Sequence, residues 1–246
     1  MGKPVFNRTN EKIEWAKYTW NPVVGCKNGC VYCYARDIAN RFYGTFEPTF
    51  YPERLEAPKN TPISKSEEIG EHSVFVCSMA DLFGEWVPDE WIEKVLEVVR
   101  ERKDWNYLFL TKNPSRLVGI DWPANAWVGT TVDIQARVRP AIEAFSQIKA
   151  TVKFVSVEPF MEEITFGEDL GVFDWVIIGG RSKNSLMAEG QPEWRWVQRL
   201  LVEVWKADCL IYFKPNLTVR PREYPLEGYG IDHKVVRSAE LKKVEK

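Results

Sequence analysis

Histidine is almost missing from this chain: His72 and His233 are the only two in 246 residues. Cysteine is scarce as well, and 5 residues are too few for the disulfide scaffold of a small secreted protein. No apolar run approaches the ~20 residues that span a bilayer, and the start, Met1 to Arg8, lacks the apolar core of a signal peptide. Internal repeats and low-complexity tracts are absent too. Charge of neither sign dominates, since 33 Lys and Arg stand against 35 Asp and Glu; no global field draws the chain to a polyanion. Together these absences lead us to expect a cytoplasmic globular protein with no membrane partner, in a compartment where clustered thiols favour metal or catalysis.

Hydrophobic residues make up 45% and charged residues 28%, ordinary values that suit one large α/β domain or two small ones. The charge is uneven along the chain. Residues 1–60 carry 9 basic and 6 acidic groups, residues 61–180 carry 11 and 20, and residues 181–246 carry 13 and 9. The basic excess thus sits at the two ends, which makes a nucleic acid partner a candidate.

Seven short runs rich in β-branched and aromatic residues read as buried strands: Tyr18–Val24, Val74–Cys77, Tyr107–Leu110, Trp127–Thr131, Lys153–Val157, Trp175–Ile178 and Leu210–Phe213. Helical periodicity lies between them, at 31–42, 88–103, 134–145 and 194–206. Segments 113–118 and 162–170 hold at most a turn or two of helix. The stretch 43–70, with Pro48, Pro52, Pro58 and Pro62, reads as an irregular excursion. Strand–helix alternation predicts an α/β fold with a parallel sheet, open or barrel-like.

Each predicted strand ends in polar residues. The first leads into a cysteine loop and the second into Ser78-Met79-Ala80-Asp81. The third leads into Thr111-Lys112, the fourth ends in Thr130-Thr131-Val132-Asp133, and the fifth in Ser156-Val157-Glu158. Gly179-Gly180-Arg181 follows the sixth and Lys214 the last. Parallel α/β folds place their sites at the C-terminal strand ends, so seven such loops predict one shared site.

The cysteine loop holds Cys26, Cys30 and Cys33 in C-x3-C-x2-C spacing, with Tyr32 directly before the third. Thiolates are soft ligands, and three around one centre leave a coordination position open. Structural zinc would need a fourth ligand from His72, His233, Cys77 or Cys209. A ferredoxin-like carrier would need a fourth cysteine and far less chain. The residue set suits a [4Fe–4S] cluster with one iron free for an exogenous ligand.

This motif, after a first strand and before a helix, resembles the radical S-adenosylmethionine (SAM) superfamily. More narrowly, Thr19-Trp20-Asn21-Pro22, Cys33-Tyr34-Ala35, Asp81-Leu82-Phe83, Leu110-Thr111-Lys112, Trp127-Val128-Gly129-Thr130-Thr131, Ser156-Val157-Glu158-Pro159, Ile178-Gly179-Gly180 and Phe213-Lys214 are similar to a phage-associated family. The resemblance implies a partial (β/α)6 TIM-like barrel of mostly parallel strands. It would form a single domain over 1–246, with a core of about 19–213 and an irregular C-terminal extension over 214–246.

It also implies cofactors, a [4Fe–4S] cluster on Cys26, Cys30 and Cys33 and a SAM molecule on the open iron. Reductive cleavage would yield a 5′-deoxyadenosyl radical that takes a hydrogen atom from substrate. The electron would come from an external donor of flavodoxin or ferredoxin type. By the same resemblance, Tyr32 would line the adenine, and Ser78 and Asp81 would hold the cofactor's amino group. Thr130, Thr131, Ser156 and Glu158 would meet the ribose or the amino acid end. Gly179 and Gly180 would admit the adenine, with Arg181 at the site edge. Lys112 and Lys214 would face an anionic group, so Asp81, Glu158, Lys112 and Lys214 are the catalytic candidates. Arg181 stands where the narrower family usually has an acidic residue.

The leading substrate reading is a nucleic acid or nucleotide base, in modification or repair. A radical enzyme acting on a peptide or small metabolite is the alternative, and a non-catalytic module stabilised by zinc or iron–sulfur is another. Each site residue also has a plain structural reading: a helix cap or ion pair for the carboxylates, snorkelling for the lysines, turn satisfaction for the hydroxyls. Cys77 and Cys209 read as small buried hydrophobes. Trp20 and Trp86, beside motif loops, are candidates for stacking.

Overall fold

The computed structural model of the chain describes residues 2–9, 13, 15–42 and 44–219. His233 and most of the expected C-terminal extension therefore lie outside the described residues. In chain order the strands are β1 (Asn7–Arg8), β2 (Tyr18–Trp20), β3 (Val23–Val24), β4 (Thr49–Phe50), β5 (Ser73–Val76), β6 (Asn106–Thr111), β7 (Ala126–Thr131), β8 (Val152–Val157), β9 (Trp175–Ile178) and β10 (Leu210–Phe213). Eight of them form one sheet in the order β1-β2-β5-β6-β7-β8-β9-β10. β1 runs antiparallel to β2, and every other neighbour in the sheet is parallel. β1 and β10 stand at the two edges, so the α/β barrel is partial, as expected, and is built on seven parallel strands.

All seven predicted strands are present. The first is shorter than expected, because Asn21-Pro22 breaks the run and sends β3 away to pair with β4. The helices are α1 (Tyr34–Phe42), α2 (Ala57–Asn60), α3 (Asp89–Glu101), α4 (Val138–Phe145) and α5 (Trp194–Lys206). α1 begins three residues later than its periodicity suggested, since Cys30–Cys33 stay in loop and turn conformation. Residues 114–117 and 167–172 form the short helical turns anticipated there. No helix among the described residues is long and apolar enough to cross a membrane.

Side chains alternate faces along a strand with period two, and the core divides accordingly. Val74, Val76, Tyr107, Phe109, Val128, Val155, Val176 and Ile178 pack on one face beneath Ile92, Leu96, Phe145, Val197 and Leu200 of the helices. Phe75, Leu108, Phe154, Trp175, Ile177 and Tyr212 occupy the other, inner face. Trp15 inserts there, its ring 4.6 Å from Phe75 and 6.1 Å from Phe154, and plugs the interior below the strand ends. Following the same parity past the apolar stripe leads from Phe75 to Cys77 and from Leu110 to Lys112. It leads also from Phe154 to Ser156 and Glu158, and from Tyr212 to Lys214. The strand register thereby gathers the polar strand ends above a closed apolar floor.

Candidate functional site

A cavity of about 490 Å³ opens at the C-terminal ends of the parallel strands, within the range that holds a small-molecule cofactor or substrate. Cys26, Cys30 and Cys33 line it together with Tyr32, Ser78, Asp81, Lys112, Thr131, Ser156, Glu158, Gly180, Arg181 and Lys214. Thirteen of the fifteen residues expected at a site thus meet at one place. Thr130 and Gly179 lie off its lining. For Thr130 the reason is strand parity, since Thr131 continues the inward set of β7 and its neighbour faces away. Gly179 shares the inward parity of Trp175 and Ile177 but is covered by the Glu158 and Lys214 side chains. Thr130, 1% exposed, donates instead to the Thr111 carbonyl at 2.9 Å.

The cysteine loop is pinned at its start by backbone. Gly25 N–H donates to the Met79 carbonyl at 2.9 Å, and Cys26 N–H to the Phe46 carbonyl at 3.1 Å. Gly25 has φ +97°, and a Cβ there would lie 2.3 Å from the Glu47 carbonyl oxygen, so only glycine fits. Burial pushes the Cys26 thiol up to about 11, helped by the charges of Asp81, Cys30 and Cys33 and opposed by the Asn28 N–H. Burial also raises Cys33. A bound cation of high charge is what converts such thiols to thiolates. The donor set, three thiols on one wall of one cavity, therefore fits a thiophilic centre. Among the described residues no group of three or more His, Cys, Asp or Glu side chains is already drawn to a common point.

Asp81, only 5% exposed, is held on every side. Its Oδ1 accepts from Thr111 Oγ1 at 2.6 Å and Phe83 N–H at 3.2 Å. Its Oδ2 accepts from Asn28 Nδ2 at 2.9 Å and Lys112 N–H at 3.0 Å. Four donors fill the roughly four lone-pair sites of a carboxylate. Ser78 Oγ meets Asn21 Oδ1 at 3.2 Å, and the same oxygen accepts from Met79 N–H at 3.0 Å. Thr131 and Ser156 are buried on the cavity wall.

Glu158 and Lys214 form an ion pair at the ends of β8 and β10, with side chains 22% and 10% exposed. A Cβ on Gly179 would lie 3.0 Å from Glu158 Cγ and 3.1 Å from Lys214 Cδ, so the missing side chain is the space the pair occupies. A Cβ on Gly180 would meet the Asn216 carbonyl at 2.6 Å. The diglycine thus packs against protein atoms on the side a Cβ would occupy, and Gly180 also lines the cavity. Arg181 Nε donates to the Ala188 carbonyl at 3.0 Å, and the Lys112 ammonium lies 5.6 Å from the Tyr32 ring centroid.

Sequence reasoning passed over three groups. Asp133, 5% exposed, accepts from the Tyr32 hydroxyl and pairs with Arg137 Nε at 2.6 Å, an ion pair more than an aligned hydrogen bond. Burial and the adjacent Asp133 carboxylate push the Tyr32 hydroxyl pKa upward, so it stays protonated as a donor. Asn21 belongs to the Thr19–Pro22 run but was not singled out. The loop after Arg181 reaches α1, where Ser185 Oγ and N–H donate to Asp37 at 2.7 and 2.6 Å and Asn184 Nδ2 donates to the Val31 carbonyl. Asp133 was visible as the last residue of a strand-end loop. The Asp37–Ser185 link left no local signal.

Trp20, Trp86 and His72 follow their plain readings. Trp20 is 2% exposed and gives its Nε1–H to the Arg54 carbonyl at 2.7 Å. Trp86 packs on the Gly84 backbone, and His72 Nε2 lies 2.7 Å from the Ser66 carbonyl. Cys209, expected to be buried, is only half-buried, and its thiol contacts the Phe173 carbonyl. Cys77 is buried as expected, but it also lines the cavity.

An open barrel of parallel strands with a three-cysteine loop at its C-terminal rim defines the class of this chain. A family model described as "Protein of unknown function (DUF5131)" matches residues 10–222, and the chain belongs to that family. Its fold is similar to that in the structure of "Spore photoproduct lyase complexed with dinucleoside spore photoproduct", with TM-score 0.51 and 11% identity over 84% of this chain and 79% of that one. At that identity the likeness is one of fold. No curated protein matches the chain.

Proposed function

We propose that this chain is a radical SAM enzyme, one domain that binds a [4Fe–4S] cluster through Cys26, Cys30 and Cys33. The observation that carries the reading is the convergence of all three motif thiols on the same 490 Å³ cavity as the polar ends of six parallel strands. The chemistry such a cluster supplies when bound is delivery of one electron, taken from an external donor, for cleavage of a sulfonium C–S bond. The chain's own residues bind, orient and exclude water. Thr131, Ser156 and Ser78 present hydroxyls toward a ribose or an amino acid end. Glu158 and Lys214 offer one acceptor and one donor of opposite charge. The Trp15 plug with its aromatic neighbours keeps water from reaching the cavity through the barrel floor.

A nucleic acid or nucleotide base is the substrate class we favour. Lys112 and Arg181 line the cavity and make no ion pair with a carboxylate among the described residues. Cations without a carboxylate partner suit a phosphodiester. The fold neighbour, captured with a dinucleoside, points the same way.

The experiment is anaerobic incubation of the reconstituted chain with dithionite and SAM. Release of 5′-deoxyadenosine is expected from the wild type and none from Cys30→Ala. No release from a wild type loaded with about four irons per chain would sink the enzyme reading. In parallel, binding to a labelled oligonucleotide should weaken steeply as salt is raised. An absence of binding at low salt would turn the substrate assignment toward a peptide or small metabolite.

A further inference from the structure

Asn28 and Tyr32 stand two residues to either side of Cys30, and each is tied to a buried carboxylate from a different strand end. Asn28 donates to Asp81, in the loop after β5, across 53 residues of sequence. Tyr32 donates to Asp133, in the loop after β7, across 101 residues. Between Cys26 and Tyr34 no residue is fully buried, so this loop has no apolar anchor of its own. Its geometry must come from polar contacts and from the motif's own ligands.

We propose that Asp81 and Asp133 are positioning residues, two struts that fix the loop around Cys30 before any cofactor binds. The inference rests on the proposed cluster reading for its purpose, but the struts themselves rest on the geometry. Asp81 has its four acceptor sites filled by Asn28, Phe83, Thr111 and Lys112, which leaves none for a cofactor's ammonium. Asp133 divides its two oxygens between the Tyr32 hydroxyl and the Arg137 guanidinium. Each strut also has a second attachment. Asp81 holds the backbone of Lys112, whose ammonium lies over the Tyr32 ring, so the two struts meet at that ring. The aromatic residue before the third cysteine is thereby fixed at its hydroxyl and on one face.

Hydrogen–deuterium exchange of the metal-free chain under anaerobic conditions tests the struts without reference to activity. Tyr32→Phe removes a single hydroxyl and is expected to speed exchange across residues 26–34 by about tenfold, while amides of β6, β7 and β8 keep their protection. Asp133→Asn, which retains an acceptor but loses the charge facing Arg137, should give a smaller increase. After reconstitution, Tyr32→Phe should broaden the electron paramagnetic resonance signal of the reduced cluster and weaken its change on adding SAM. Exchange in Tyr32→Phe within about twofold of wild type would overturn the proposal. If Asp133→Asn fails to fold, the conservative Tyr32→Phe still decides. If the wild type takes up no iron, the cluster reading fails while the exchange result still stands for or against the struts.

Discussion

Replacement of Asp81 by alanine is expected to lower the thermal midpoint of the metal-free chain by roughly 5–20 °C, the size of shift that ~2–6 kcal/mol produces in a protein of this length. The effect is large because one carboxylate answers four donors. Two of them, the Phe83 N–H and the Thr111 hydroxyl, make their bonds in buried surroundings and cannot turn to water when it is removed. Each orphaned buried donor costs about 1–3 kcal/mol. The Asn28 and Lys112 donors sit nearer the cavity and lose less, since solvent can replace the carboxylate there. Asp81→Asn should recover only part of the loss, because its amide nitrogen would face donors. Differential scanning calorimetry reads the result directly. A midpoint within about 2 °C of wild type would mean that Asp81 is not the hub this geometry describes.

Lys214→Met is expected to destabilise the chain by about 1–3 kcal/mol, less than the loss for a fully buried pair because Glu158 keeps 22% of its side chain exposed. Glu158→Gln alone should cost a similar amount by leaving the buried ammonium without its counter-charge. Combining the two substitutions should return most of the stability, since an ion pair replaced as a whole by neutral groups is often nearly neutral. That cycle separates two roles. A pair that only joins β8 to β10 would let the double variant regain SAM cleavage along with its stability. A pair that contacts the cofactor or substrate would leave the double variant stable but still impaired. The second result is expected from the position of both groups on the cavity wall.

The parallel strands were readable because each is a short β-branched or aromatic run with polar residues at its end. The faces were harder. Trp127 and Val128 are both apolar, as are Trp175 and Val176, so local patterning could not say which parity faces inward. That ambiguity leaves Thr130 and Thr131 indistinguishable in the sequence, although only Thr131 lines the cavity. The carboxylates show a second limit. Asp81 and Asp133 both follow strand ends, but their partners lie 53 and 101 residues away in one nine-residue loop. No local spacing encodes such a contact, and a lone aspartate after a strand looks the same whether it caps a turn or holds a loop. The diglycine shows a related limit. A missing Cβ shows that something comes close, and here that is the Glu158–Lys214 pair and the Asn216 backbone.

The central claim is that Cys26, Cys30 and Cys33 would hold a [4Fe–4S] cluster able to engage SAM in the cavity they line. The most direct test is electron paramagnetic resonance of the reduced, anaerobically reconstituted chain, recorded with and without SAM and alongside metal analysis. The account predicts about four irons per chain and a cluster signal that changes when SAM is added. One zinc and no iron per chain, or a cluster signal indifferent to SAM, would contradict it.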